Sequence, residues 1–230
     1  MRTRLGAALA AAGFWTLPTL ALASKEVAHL FGLQTHLEDA RGVALTFDDG
    51  PHPQGTPAIL DTLTQLGLRA AFFLTGEQVL RYPEVAREIA ACGHTIGVHG
   101  HRHRLLTLRT PRATATDLRL ACAAIEDAAG STPGLYRPPY GVANPAVLLA
   151  ARRAGLRPVL WARWGRDWER RASAASVAAN ASRGLRGGEI LLLHDADHYA
   201  ATGSWRATVA ALPEIAKAVA DAGLTFRALR

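Results

Sequence analysis

Beyond residue 40 the chain alternates short apolar segments with longer amphipathic ones, and few folds accept that rhythm. Residues 43–47, 70–74, 95–98, 135–136, 158–161 and 189–193 read as strands, with 225–228 closing the series. Between them lie helices. The first is expected to be capped by Thr56, with Pro57 at its first position, a stripe of Ile59, Leu60, Leu63 and Leu66, and Gly67 as its stop. Others are predicted over 83–91, over 117–129 (Leu118, Ala121, Cys122 and Ile125 on one face), from Asn144 and Pro145 to Gly155, over 174–185 and over 207–222. Strand–helix units repeated without a long linker, internal repeat or low-complexity tract predict one α/β domain on parallel strands. A doubly wound sheet and a barrel both satisfy the alternation. Polar clusters favour the barrel, because they follow the carboxyl ends of at least five strands around the chain, as in a barrel that assembles one site. An open sheet would concentrate them at one switch point.

With 230 residues, 49% of them hydrophobic, the chain can build one well-cored domain. Residues 1–23 stand apart. Arg2 and Arg4 precede an apolar stretch, Pro18 interrupts it, and Ala21-Leu22-Ala23 fits the small-x-small cleavage pattern ahead of Ser24. A cleaved secretory signal is the first expectation. An uncleaved anchor is the second, since residues 5–23 carry no charge and are about long enough to span a bilayer. Either places the domain outside the cytoplasm, secreted or membrane-anchored, with residues 24–40 as a lead-in and 41–230 as the domain proper. The net charge of +7 (26 basic against 19 acidic side chains) is scattered, with no basic stripe interleaved with aromatics, so no nucleic-acid partner is expected. Cys92 and Cys122 either pair in an oxidising compartment or remain buried thiols; neither has metal-ligand spacing.

The chemistry begins at Ala44-Leu45-Thr46-Phe47-Asp48-Asp49-Gly50-Pro51. Neighbouring side chains on a strand point to opposite faces, but at a frayed strand end two adjacent carboxylates can converge. Their repulsion calls for a cation, a metal or an arginine. The second cluster, Val98-His99-Gly100-His101-Arg102-His103, also follows a strand. His99 and His103, four apart, could close on one ion with an aspartate as third ligand. A two-His, one-carboxylate set with open positions suits catalytic zinc. His101 either lines the cleft or is a basic loop residue. His52, His94 and His198 read as surface or loop, and nothing in the sequence says whether Asp195 and Asp197 rim the cleft.

These motifs, with Arg137-Pro138-Pro139-Tyr140-Gly141, Asp167-Trp168 and Leu192-Leu193-His194, resemble in order those of the polysaccharide deacetylases of the NodB-homology type, carbohydrate esterase family 4. The resemblance runs over about residues 42–195. It implies a deformed (β/α) barrel of about seven parallel strands in a single domain, a divalent metal, most often Zn2+, and hydrolytic removal of acetyl groups from N-acetylated sugars. It also implies that Asp48 is the general base and Asp49 a metal ligand beside His99 and His103. Arg137 would hold and tune Asp48, the backbone N–H of Tyr140 would face the oxyanion, and Asp167 would orient His194, the general acid. Trp168 and Leu192 would wall the acetyl pocket. The expected activity is N-deacetylation of GlcNAc-containing polysaccharide such as peptidoglycan or chitin oligomers, by a monomer whose only membrane contact would be an N-terminal anchor. Alternatives are O-deacetylation, as in acetylxylan esterases, or a non-catalytic carbohydrate-binding scaffold. Three positions depart from the usual pattern: Val98 stands where a small polar residue is common, His101 where an aromatic is usual, and Trp164 where another acidic residue often falls.

Overall fold

A computed structural model describes residues 24–229 together with Pro18, so the expected leader over 1–23 otherwise lies outside the described residues. In chain order the elements are α1 (Lys25–Leu30), β1 (Gly42–Asp48), α2 (Gly55–Gln65), β2 (Ala71–Leu74), α3 (Gly76–Arg81), α4 (Pro83–Ala91), β3 (Thr95–Val98) and α5 (Pro111–Ala129). There follow β4 (Leu135–Tyr136), α6 (Pro145–Arg153), β5 (Arg157–Pro158), β6 (Arg163–Trp164), α7 (Ala174–Ser182), β7 (Ile190–His194), α8 (Trp205–Asp221) and β8 (Thr225–Phe226).

The strands form one parallel sheet in the order β5-β4-β3-β2-β1-β7-β6, with β8 added to the start of β1. It curls into a half-barrel, the deformed (β/α) barrel expected. Every residue of β1 is buried, because helices cover the outside of the sheet and its inner face closes on itself. The short outer strands β5 and β6 leave a seam, which the lead-in laces. Gln34 N–H donates to Pro158 O (3.1 Å), Leu160 N–H to Gln34 O (2.8 Å), and Leu37 N–H to Gly188 O (2.7 Å). Residues 34–37 thus join the end of β5 to the start of β7, satisfying edge groups that would otherwise meet solvent.

Several local expectations change. Thr56 is not the cap of α2, whose N-cap is Gln54 with no side-chain bond; the Thr56 hydroxyl is buried against Asp195 instead. Helix α5 begins at Pro111, earlier than expected, because Thr110 caps it by accepting from Ala113 N–H (3.2 Å). The strand expected over 158–161 shortens to Arg157–Pro158. Leu160 leaves the ladder and turns its carbonyl to Arg137 (3.1 Å). Three elements were not foreseen: the six-residue helices α1 and α3 and the two-residue strand β6, all too short to show a period. Cys92 and Cys122 are free thiols, each half-buried.

Candidate active site

Parallel register sets the main distances of the site. Asp48, the last residue of β1, lies directly across from His194 on β7 and from Phe73 on β2. Register partners on adjacent strands turn their side chains to the same face, so Asp48 and His194 look into one cavity. The next residue, Asp49, has φ +78°. That left-handed turn breaks the strand's alternation and brings two successive carboxylates together. Among the described residues Asp49, Tyr140 and Arg166 are the non-glycine residues with positive φ. Each is, or immediately precedes, a residue expected in the site. Backbone strain of this kind costs on the order of 1–3 kcal/mol per residue and persists where surrounding contacts over-determine it.

Asp49, His99 and His103 converge. Asp49 Oδ1 lies 3.4 Å from Nε2 of each histidine, and the three groups present ligand atoms within 4.8 Å of one another. His99 Nδ1 lies 2.8 Å from the carbonyl of Arg137, so it carries the proton and leaves the Nε2 lone pair facing Asp49. Asp49 Oδ1 is buried and has no hydrogen-bond partner, the orphaned acceptor a cation would satisfy. Burial alone would raise the Asp49 carboxyl; the imidazoles around it, His99 and His194 foremost, outweigh that and hold it at about 2. Burial pulls the His103 imidazole down to about 4, which keeps it neutral and available as a ligand. Charge, tautomer and donor types therefore fit a divalent metal.

Asp48 faces a different partner. Arg137, wholly buried, donates from Nη1 to Asp48 Oδ1 (2.7 Å) and to Thr46 Oγ1 (2.8 Å), and from Nη2 to Leu160 O (3.1 Å). Its guanidinium lies 4.0 Å over the ring of Phe73. A Cβ at Gly97 would come within 2.6 Å of that ring, so the glycine in β3 makes room for the support beneath Arg137. Across the cavity Asp167 accepts from His194 Nδ1 (2.9 Å), from His194 N–H (2.7 Å) and from Thr208 Oγ1 (2.7 Å). Burial alone would lower the His194 imidazole; the charge and hydrogen bond of Asp167, with Asp49 and Asp48 behind it, push it to about 10.

Tyr140, Trp168 and Leu192 line the same hollow of about 260 Å³, together with Trp161, Trp164, Tyr199 and Ala200. The turn at Tyr140 closes through Gly141 N–H to Pro138 O (2.9 Å) and Val142 N–H to Pro139 O (3.2 Å), neither of which uses the Tyr140 amide. Sequence reasoning missed Thr208 and Tyr199. Thr208 is one polar residue on an apolar helix face, and Tyr199 stacks on His103 (4.4 Å) from a loop with no motif. Thr46 stood inside a quoted motif without a role. His101 does not line the cleft; it packs against Gly76 and gives its N–H to Asp117 Oδ1 (2.7 Å). His94 is buried rather than exposed, accepting from Ala70 N–H (3.2 Å) beneath Phe72. Asp195 is wholly buried behind Gly50, bonded to the Thr56 hydroxyl, and burial drives it up to about 7. A second cluster, His52, Asp197 and His198, does not fit a metal. His52 Nδ1 accepts from Gly55 and Gln54 N–H, so its Nε2 carries a proton, which it donates to Asp197 (3.2 Å).

Comparison with known proteins agrees with this geometry. The profile of the polysaccharide deacetylase family matches residues 37–159. A chitooligosaccharide deacetylase of Bradyrhizobium sp. (strain ANU 289) is 36% identical over 170 residues, covering 72% of this chain and 77% of that protein. A peptidoglycan-N-acetylglucosamine deacetylase of Bacillus cereus is 34% identical over 187 residues, covering 80% and 84%. A family 4 carbohydrate esterase from Streptomyces lividans, solved with acetate, superposes with a TM-score of 0.74 at 32% identity, covering 84% of this chain and 94% of that one. The chain belongs to the polysaccharide deacetylase family and is a hydrolase built on the carbohydrate esterase family 4 fold.

Proposed function

We propose that the chain is a zinc-dependent deacetylase that hydrolyses N-acetyl groups of a GlcNAc-containing polysaccharide, peptidoglycan or a chitin oligomer, outside the cytoplasm. The observation that carries this reading is the division of labour between adjacent carboxylates: Asp49 meets two histidines, while Asp48 is held by Arg137 across from His194. Asp49, His99 and His103 would hold the metal, which when bound supplies Lewis-acid polarisation of the acetyl carbonyl and a water of lowered pKa. Asp48, fixed at one oxygen by Arg137, keeps its other oxygen toward the cavity and takes the proton from the attacking water. The Tyr140 N–H donates to the developing oxyanion, a contact worth about 2.7–4 kcal/mol in comparable sites. His194, kept protonated by Asp167, gives its proton to the departing sugar amine. Trp168 and Leu192 bound a space suited to a methyl group.

The test is acetate release from chitooligosaccharides, peptidoglycan and acetylxylan by the wild type and Asp48→Ala, with and without chelator. Chelator-sensitive release from the first two, lost in Asp48→Ala, is expected. Release from acetylxylan alone would replace the N-deacetylase reading with an O-deacetylase one, and binding without turnover would replace it with a scaffold. Fractionation of producing cells tests the location; cytoplasmic protein with residues 1–23 intact would overturn it.

A further inference from the structure

We infer that Trp164 is a stacking platform for the sugar adjoining the one that reacts, so that the site selects an oligomeric glycan over a single sugar. This rests on the deacetylase reading of the same cavity. The sheet itself aims the side chain: Thr46 on β1, Leu192 on β7 and Trp164 on β6 are register partners in one row. Thr46 turns its hydroxyl to Arg137 and Leu192 walls the pocket, so the row faces the barrel interior, and Trp164 lines the pocket with it.

The indole is held but not covered. Trp161 lies 6.0 Å from it at 50°, and Trp168 stands edge-on at 6.0 Å and 87°. Trp161 is 7% exposed, whereas Trp164 keeps 42% of its surface open. Trp164 continues the aromatic wall that Trp161 and Trp168 give the cavity, and a contiguous apolar wall left open is surface awaiting a partner. The partner chemistry follows from shape. A pyranose carries its hydroxyls around the rim and presents C–H groups on its faces, which suit a flat, rigid indole. Distance from the chemistry agrees. Trp168 contacts His194 edge-on (5.4 Å), so Trp164 sits one ring beyond the proton donor, where a neighbouring sugar would lie. Tyr140 and Tyr199 pack against His103 and line the same cavity.

The test is calorimetric titration of the purified protein with chitosan tetramer, which has no acetyl group left to hydrolyse, and with glucosamine. It therefore reads binding whether or not the protein turns over any substrate. Trp164→Ala should weaken tetramer binding about tenfold, equivalent to ~1.4 kcal/mol, and leave glucosamine binding unchanged. Trp164→Tyr should restore most of the affinity. In acetate release from chitotetraose, Trp164→Ala should raise KM with kcat nearly kept, the pattern of lost uniform binding. Equal tetramer affinity in wild type and Trp164→Ala, or a wild type that binds tetramer no better than glucosamine, overturns the platform. Absence of acetate release with tetramer binding intact would overturn the deacetylase reading and leave the platform standing.

Discussion

Arg137→Met isolates the buried ion pair on which the proposed base depends. Methionine keeps a flexible apolar stem in contact with Phe73 but removes the guanidinium that meets Asp48 at 2.7 Å, Thr46 at 2.8 Å and Leu160 O at 3.1 Å. Asp48 is 2% exposed, so it cannot recover solvation without local opening. Removing one partner of such a pair costs ~3–5 kcal/mol, a large part of the 5–15 kcal/mol that holds a domain together. For a domain of this size the melting temperature should fall by on the order of 10 °C. Denaturant titration in chelator, where metal binding contributes nothing, measures the loss. Arg137→Met combined with Asp48→Asn removes both charges and should regain most of the stability without regaining acetate release. A single variant within ~1 kcal/mol of wild type, or a double variant no more stable than the single, would refute the claim that Arg137 offsets the burial of Asp48.

Four further outcomes follow from the same geometry. In Asp167→Asn the largest raising influence on His194 is lost while burial still acts against its charge, so the alkaline limb of the kcat–pH profile should move to lower pH; an unmoved limb refutes the pairing. Because His194 is raised to about 10, the stability this pair contributes is full below the unfolded histidine pKa of ~6.5 and is lost as pH rises through about 10, so Asp167→Asn should be more destabilising at pH ~6 than at ~11. Asp195 is a carboxyl raised to about 7, so it opposes folding increasingly as pH climbs from ~4 toward 7. Asp195→Asn, which can still accept from Thr56, should flatten the stability profile over that range, and an unchanged profile refutes it. Stripping the metal should lower the melting temperature reversibly, with zinc restoring it in wild type but not in His103→Ala; equal recovery in both would remove His103 from the ligand set.

By itself the sequence determined the strand–helix order, the parallel sheet and nearly all of the groups proposed for the chemistry. These are written locally, in the apolar run of β1, the His99–His103 spacing and the polar residues that end strands. It could not determine which groups would meet, because the contacts between them are set by register and turns. Asp48 faces His194 because β1 and β7 pair 146 positions apart in that register, and Asp49 turns into the same cavity toward the histidines because its φ is +78°. Thr208, Tyr199 and Leu160 O joined the site without a motif, since a helix, a loop and a strand end supply single atoms to it. The lead-in lacing the seam and the burial of Asp195 behind Gly50 were equally hidden. Pattern along the chain records what each segment buries; only the curled sheet decides what each buried group finds there.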